Sequence, residues 1–230
     1  MFKTTLAATA FAVLPLVAVA ATVTDSLLPS SDYTEVAVAE IRGGNSQLNG
    51  DRELGINAPG GAPVAQGQFD IQDGVQYAFS IAYSAATTTL ELDFGGTSIS
   101  SSDFDLSAAD TLLVGGRFAN DSSNVQKNGT LSLSGLTLGG ESLPDLNAGN
   151  TSGYDGYTVT GFDFGSDFTL SGFAIFDYAA GGNGTQVASN LATQFKFVDG
   201  PAPVPLPAAG ILLLGALGGL GLVKRRCKVA

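Results

Sequence analysis

VQYAFSIAYSAATTTLELDF, residues 75–94, is the segment that most clearly indicates the fold. Its first half places a large apolar side chain at every second position from Val75 to Tyr83, and residues 88–94 repeat the alternation. A period of two puts successive side chains on opposite faces of a β-strand, so each half is predicted to bury one face. Residues 84–87 are few enough to join the two strands as a hairpin.

Similar short runs, separated by glycine pairs and by Asn-Gly turn signals, recur throughout residues 21–200. The further candidate strands are 34–41, 112–118, 130–134 with 136–138, 157–164, 168–176 and 193–198. No segment keeps the 3.6-residue apolar spacing of an amphipathic helix. The sequence therefore predicts one mainly β domain over residues 21–200, an antiparallel β-sandwich of jelly-roll-like form.

The composition excludes several kinds of chemistry. The 230 residues include 31 glycines but no histidine, no tryptophan and a single cysteine, Cys227. Without histidine there is no Ser-His or Cys-His catalytic pair and no imidazole metal site. A single cysteine excludes a disulfide within the chain and a cysteine-based zinc site.

The charge of the predicted domain limits its partners. The chain has a formal charge of −11, but all 21 acidic residues and only five basic ones lie within residues 21–200, which gives that segment about −16. Such a surface repels phosphates, so we expect no nucleic-acid partner. Cations and neutral sugars remain compatible with it.

Residues 1–20 have the three parts of a secretory signal peptide. Lys3 supplies the positive start, residues 6–17 are apolar, and Ala18 and Ala20 give the small-x-small pattern that precedes cleavage before Ala21. The alternative is a short buried helix. The apolar run has no polar face and ends in the cleavage pattern rather than in a helix cap, which favours the signal peptide.

The other end of the chain combines three elements in order. A Pro-rich linker, 201–208, contains the motif Val204, Pro205, Leu206, Pro207 and Ala208. Residues 209–223 are apolar, and 224–230 form a basic tail whose charges are Lys224, Arg225, Arg226 and Lys228. As a helix the apolar run spans about 22 Å, and snorkelling of the basic side chains brings it nearer the ~30 Å hydrocarbon core. The sequence predicts a transmembrane helix with a cytoplasmic basic tail.

This arrangement resembles the VPLPA variant of the PEP-CTERM sorting signal, with Leu206 at the position of the glutamate in the founding motif. The resemblance implies a protein exported by a Gram-negative bacterium and processed by an exosortase, a membrane-embedded cysteine transpeptidase-like enzyme. Residues 204–208 would then be the recognition segment, and 209–230 would be held in the membrane and removed. An ordinary single-span anchor with a Pro-rich neck is the alternative. The domain itself resembles the choice-of-anchor group through residues 153–176, with Phe162-Asp163-Phe164 and 168–172, and this resemblance implies no activity.

Acidic residues are candidates for metal ligands and for catalysts. Aspartates cluster at Asp103 with Asp105, Asp70 with Asp73, and Asp163 with Asp167, and such loops supply oxygen ligands for a structural calcium ion. None matches the twelve-residue calcium loop, so solvated surface carboxylates are the favoured interpretation. A glycosidase would need two paired carboxylates, but no local motif selects two of the available glutamates: Glu35, Glu40, Glu53, Glu91 and Glu141.

Other polar features have structural alternatives. Tyr77 and Tyr83 are predicted core residues, whereas Tyr154 and Tyr157, in a Gly-rich segment, are the predicted exposed pair that could stack on a sugar. Four Asn-x-Ser/Thr sequons are predicted to lie in loops, where these residue types are also common without glycosylation: Asn120, Asn128, Asn150 and Asn183. Cys227 could be acylated near the membrane or be an incidental residue of the tail.

The expected function is therefore that of an exported, non-enzymatic protein of the cell surface or extracellular matrix. It would have no catalytic residues and no cofactor, and its partners would be an exosortase-type enzyme and, during sorting, the membrane. The alternative is a carbohydrate-binding surface module that contacts extracellular polysaccharide and is stabilised by calcium.

Overall fold

The alternating stretch 75–94 forms two neighbouring antiparallel strands in the computed structural model of the chain, as its period of two predicts. Gln76–Ser84 pairs with Thr89–Phe94, and Tyr83 lies opposite Leu90. The turn between them covers residues 85–88, one position later than predicted, because Thr88 takes a positive φ of 48° and cannot continue a strand. Val75 precedes the strand and is 42% exposed, so its predicted burial is wrong.

The structure describes residues 21–43, 54–118, 129–148, 153–178 and 191–200. The chain divides into two compact units, Met1–Asp199 and Gly200–Ala230. All the described residues except Gly200 belong to the first unit.

The described residues contain fourteen strands and one three-residue 3-10 helix, Leu106–Ala108. The strands are β1 (Thr22–Thr24), β2 (Thr34–Arg42), β3 (Leu54–Asn57), β4 (Pro63–Gly67), β5 (Gln76–Ser84), β6 (Thr89–Phe94), β7 (Thr97–Ser101), β8 (Thr111–Phe118), β9 (Gly129–Leu138), β10 (Glu141–Ser142), β11 (Leu146–Ala148), β12 (Gly153–Thr160), β13 (Phe168–Tyr178) and β14 (Ala192–Asp199). The protein is therefore mainly β over these residues, as predicted.

The strands form two antiparallel sheets. Sheet A has the order β1-β12-β8-β14-β2-β3-β4. Sheet B has the order β10-β9-β13-β5-β6-β7, with β11 also paired to β9. Long strands occupy the middle of each sheet, and several short strands that the sequence did not predict lie towards the edges: β1, β3, β4, β7, β10 and β11.

Eight strands pair in a nested order along the chain. The pairs are β2 with β14, β5 with β13, β8 with β12, and β9 with β11. The first of the eight thus pairs with the last, the second with the seventh, and so on inwards. Successive pairs alternate between sheet A and sheet B, so the eight strands follow the course of one long hairpin wrapped around a common core.

The two sheets meet through one apolar core. Phe79 of sheet B and Phe195 of sheet A have ring centroids 5.2 Å apart, and Phe168 and Phe197 are 5.5 Å apart across the same boundary. Aromatic pairs at this spacing add to the free energy gained by burying their apolar area. The inward faces of both sheets are thereby buried, so a site has to form on an outer face, at a sheet edge or in a loop.

One predicted strand differs from the structure. The sequence predicted a strand over 157–164, but β12 begins at Gly153 and ends at Thr160, because Gly161 takes a φ of +82°. Phe164 is still buried, while Asp163 is exposed and accepts hydrogen bonds from the Gly165 N–H at 3.1 Å and the Ser166 hydroxyl at 2.6 Å. Asp163 therefore stabilises a turn rather than alternating along a strand.

Candidate functional site

A short segment crosses the outer face of sheet A. The segment, residues 25–33, runs from β1 at one edge of the sheet to β2, which lies beyond β12, β8 and β14; we call it the strap. The Thr158 hydroxyl in β12 donates to the Ser26 carbonyl at 2.6 Å. Leu27 packs close to Gly156. A Cβ atom added at Gly156 would lie 3.1 Å from Cδ2 of Leu27. The absent side chain of Gly156 therefore leaves room for the strap to lie against the sheet.

The strap and the sheet enclose a half-open cavity of about 300 Å³. Its floor comes from β8 and β14, and its wall comes from the strap, whose last residue is Tyr33. The lining residues are Leu27, Leu28, Ser30, Tyr33, Leu113, Gly115, Gln194 and Lys196. The cavity is thus amphipathic, with leucine side chains on one part of its wall and hydrogen-bonding groups on the other.

An ion pair borders the polar part of this cavity. The Lys196 ammonium lies 2.6 Å from Oε1 of Glu35. Burial lowers the pKa of Lys196, but the hydrogen bond and charge of Glu35, together with those of Tyr33, outweigh burial, so the pKa is raised above 10.5. Lys196 is therefore a charged group that Glu35 holds in place at the border of the cavity.

A second polar cluster lies beside it on the same face of sheet A and centres on Glu40, which is only 3% exposed. Its carboxylate accepts from Nε of Arg42 at 2.9 Å, from Nε2 of Gln194 at 3.1 Å and from Nδ2 of Asn57 at 3.3 Å. The side-chain oxygen of Asn57, Oδ1, is buried and has no hydrogen-bond partner among the residues that the structure describes. The positive Arg42 and the amide donors offset the cost of burying the Glu40 charge.

The structure brings two of the candidate glutamates, Glu35 and Glu40, to the outer face of sheet A. Glu35 and Glu40 are five positions apart, which would put them on opposite faces of a regular strand. An irregularity between Phe197 and Val198 in the pairing of β14 with β2 shifts the register, and Glu35 reaches Lys196 on the outer face. Glu91 lies in β6 and Glu141 in β10, both in sheet B, and Glu53 lies outside the described residues.

The aspartates act in turns and caps. Oδ1 of Asp105 accepts from the Ser107 N–H at 3.0 Å at the start of the 3-10 helix, and hydrogen bonds from Ser107 lower the pKa of Asp105. Asp167 accepts from the Ala85 N–H at 2.7 Å, and Asp70 from the Gln72 amide at 3.0 Å. Among the described residues, no three or more His, Cys, Asp or Glu side chains gather as a metal ion would require. The structural calcium ion stays a prediction.

The tyrosines differ in part from their predicted roles. Tyr83 is buried, and its hydroxyl contacts the Phe104 carbonyl at 3.4 Å, as expected of a core residue. The predicted exposure of Tyr157 is wrong: it is 3% exposed, because the alternation of β12 turns its ring into the core, and its hydroxyl donates to the Pro144 carbonyl at 2.9 Å. Tyr154 lies in β12 opposite Arg117 rather than in a loop. The tyrosine at the cavity is Tyr33, which the sequence did not single out because nothing near it in the chain indicates the β14 side chains beside it.

Several predicted features lie outside the described residues. These are Ala18 and Ala20 of the signal peptide, the motif 204–208, the apolar run 209–223, the basic tail 224–230 and the four sequons at Asn120, Asn128, Asn150 and Asn183. Ala21, on the far side of the predicted cleavage point, is described and is partly buried against the core. Within the portion of the chain that the structure covers, no helix has the length and apolarity needed to cross a membrane.

No protein-family model matches the chain, and no curated protein sequence matches it either.

Proposed function

We propose that this chain is an exported, non-enzymatic protein of the cell surface or extracellular matrix, sorted through its C-terminal segment by an exosortase-type enzyme. The observation that carries the proposal is the order of elements at the C-terminus. The motif 204–208, the apolar run 209–223 and the basic tail 224–230 follow in that order, a few residues after β14, the last described strand, which ends at Asp199.

The motif has a physical reason to be recognised as an extended peptide. Pro205 and Pro207 have no backbone N–H and disfavour helix in the residues that precede them. A helix over 209–223 would therefore not extend into 204–208, which leaves an extended segment at the membrane surface for a membrane-bound peptidase to bind.

We also class the two-sheet domain as a jelly-roll-like β-sandwich. The support is the nested pairing of the eight strands, in which β2 pairs with β14 and the inner pairs alternate between the sheets. Double-sheet jelly rolls are one of the architectures by which antiparallel β proteins limit exposed strand edges.

The test follows the size and location of the full-length chain and of a variant that lacks residues 204–230, both in the native host. We expect the full-length chain to lose both termini, as seen by intact mass, and to reach the surface or medium. We expect the truncated chain to lose only its signal peptide and to escape processing by the membrane enzyme. A second variant replaces Lys224, Arg225 and Arg226 with Ala and leaves 204–208 intact, and it tests whether processing also needs the basic tail. Recovery of full-length chain in the cytosol with residues 1–20 still attached would refute the proposal.

A second candidate function is binding of a neutral sugar at the cavity under the strap. The observation that favours it is the combination of the Tyr33 ring and leucine side chains with Gln194 and Lys196 in one cavity. Sugars present both apolar C–H faces and hydroxyl groups, and pockets that bind small polar ligands combine the same two surfaces.

A glycan array tests this candidate with the wild type and with Tyr33→Ala, each with calcium and with a chelator. Binding that Tyr33→Ala abolishes supports the candidate, and dependence on calcium would add the structural ion. Phe173→Ala is the matched control, since Phe173 is an aromatic residue 43% exposed in β13 of the other sheet. No glycan binding by the folded wild type, or equal loss of binding in both variants, counts against this candidate.

Absence of hydrolysis in a polysaccharide screen would support the non-enzymatic assignment.

A further inference from the structure

The first described residue contacts a carboxylate that is distant in the sequence. The backbone nitrogen of Ala21 donates to Oε2 of Glu141 at 3.4 Å, across 120 positions of the chain. Both residues line a cleft of about 350 Å³ together with Gly139, Gly161, Phe162 and Asp163. The cleft thus contains two carboxylates, Glu141 and Asp163, next to one backbone nitrogen.

A tight glycine turn fixes the position of Glu141. Gly139 and Gly140 both take positive φ, as a two-residue hairpin turn requires, and the turn pairs Glu141 with Leu138. Gly139 also has to be glycine for a second reason, since a Cβ atom there would lie 2.7 Å from the Phe162 ring. The glycine turn therefore aims Glu141 at the cleft.

On the other side of the cleft, Ala21 is held by the strand that follows it. Thr22, Val23 and Thr24 of β1 pair with β12 at the edge of sheet A, while Glu141 begins β10 at an edge of sheet B. The contact between Ala21 and Glu141 therefore links the edges of the two sheets on the side where neither has a further neighbour in the described structure.

We propose that this cleft is a binding site for the chain's own α-ammonium group, created when the signal peptide is cleaved before Ala21. The inference rests on the proposed export. Hydrolysis breaks the peptide bond between Ala20 and Ala21; the hydroxyl of water goes to the Ala20 carbonyl carbon, which becomes a carboxylate, and the nitrogen of Ala21 takes up protons. An α-amino group with an ordinary pKa of about 8 is mostly protonated at pH 7.

Cleavage changes the strength of the contact between the Ala21 nitrogen and Glu141 rather than its position. Before cleavage, the Ala21 nitrogen is an uncharged amide with a single N–H. After cleavage it carries a positive charge and three donors, and hydrogen bonds between oppositely charged groups are shorter and stronger than neutral ones. Asp163 adds negative charge to the same cleft while its oxygens accept from Gly165 and Ser166.

The consequence extends to the cavity of sheet A. The strap begins directly after β1, so fastening Ala21 to Glu141 also fastens the end of the strap that forms the cavity wall. Removal of the signal peptide thereby strengthens the attachment of this end of the strap, whereas the precursor keeps only the weaker contact between an amide and a carboxylate.

The experiment uses the protein as its host exports and processes it, with intact mass to identify its N-terminus. Acetylation near pH 6.5 blocks the α-amine in preference to lysines, whose ordinary pKa is about 10.4. Wild type and Glu141→Gln are compared with and without acetylation, and Glu91→Gln, an exposed glutamate in β6, is the matched control. Hydrogen exchange of the β1 amides and thermal unfolding are the readouts.

We expect acetylation of the wild type to speed exchange of the β1 amides about two- to fivefold and to lower Tm by about 1–3 °C, as loss of an exposed ion pair would. Glu141→Gln should give the same change, and acetylation should add nothing to it. Independent, additive effects of acetylation and Glu141→Gln would overturn the inference. An N-terminus other than Ala21 would refute the predicted cleavage point and the inference with it. If the exported protein begins at Ala21 but Glu141→Gln changes neither the exchange of the β1 amides nor Tm, the inference alone is refuted.

Discussion

The Lys196 ammonium and the Glu35 carboxylate lie 2.6 Å apart on the outer face of sheet A, although 161 positions separate them in the chain. Both side chains are about one-fifth exposed. The two residues meet because β14, which contains Lys196, pairs with β2, which contains Glu35. The pair borders the cavity under the strap and ties the two strands together.

Removal of this ion pair should have a pH-dependent effect. Lys196→Met should destabilise the domain by about 1 kcal/mol at pH 7, the magnitude of a partly exposed pair. The pKa of Lys196 is raised in the folded protein, so the stability that the pair contributes is fully present below the ordinary value of 10.5 and is lost as pH rises through the raised value. Urea unfolding from pH 7 to 11.5 should show the difference between wild type and Lys196→Met narrowing only at the alkaline end. A difference that narrows between pH 7 and 9 would contradict this assignment.

Glu40 should contribute more to stability than an exposed glutamate. Glu40→Gln keeps the shape of the side chain but leaves Arg42 without a carboxylate, and we expect a loss of about 1–3 kcal/mol in urea unfolding. Glu91→Gln, in an exposed position of β6, should stay within about 0.5 kcal/mol of the wild type. Equal effects of the two substitutions would show that the buried cluster does not stabilise the fold.

Tyr157 should make the domain sensitive to alkali. Burial and then the charge of Asp145 raise the pKa of Tyr157 well above its ordinary value of 10.0. The folded state therefore holds the phenol proton that the unfolded state releases above pH 10, and stability falls as pH rises past that point.

The variant Tyr157→Phe tests this directly. It should cost about 1 kcal/mol below pH 9, because the hydrogen bond to the Pro144 carbonyl is lost. Above pH 10 its stability should fall less steeply than that of the wild type, so the two curves converge. Urea unfolding, with tyrosinate absorbance followed in parallel, measures both quantities; parallel curves throughout would refute the prediction.

Gly156 should tolerate no side chain. A Cβ atom there would overlap the Val114 carbonyl oxygen and lie 2.8 Å from the Gly115 Cα atom, both of which are backbone atoms that cannot rotate away. We expect Gly156→Ala to cost about 2–3 kcal/mol or more and to displace Leu27 of the strap. In Gly140→Ala the new side chain meets nothing within 4 Å, so only the positive φ of 91° opposes it and the loss should be about 1–2 kcal/mol. A smaller loss for Gly156→Ala than for Gly140→Ala would contradict the steric account.

The sequence predicted the long strands well because their information is local. The alternation in residues 75–94 identified both strands of the β5–β6 hairpin and the burial of Tyr83, since a period of two in one segment is enough to define an amphipathic strand. It did not predict β1, β3, β4, β7, β10 or β11, which have two to five residues each and exist through pairing with longer neighbours. Tyr157 was misassigned because the glycines around it resemble a loop, whereas pairing with β8 holds them in a strand.

The amino-acid pattern alone was enough to predict a mainly β domain, the alternation of its long strands, and the Pro-rich, apolar and basic tail that follows this acidic domain. Which strands are neighbours depended on the folded arrangement, and so did the cavity under the strap, the burial of Glu40 and the contact of Ala21 with Glu141. The physical reason is distance along the chain. Alternation acts between residues two positions apart, whereas Gln194 reaches Glu40 across 154 positions, and no local pattern records which strand another will pair with.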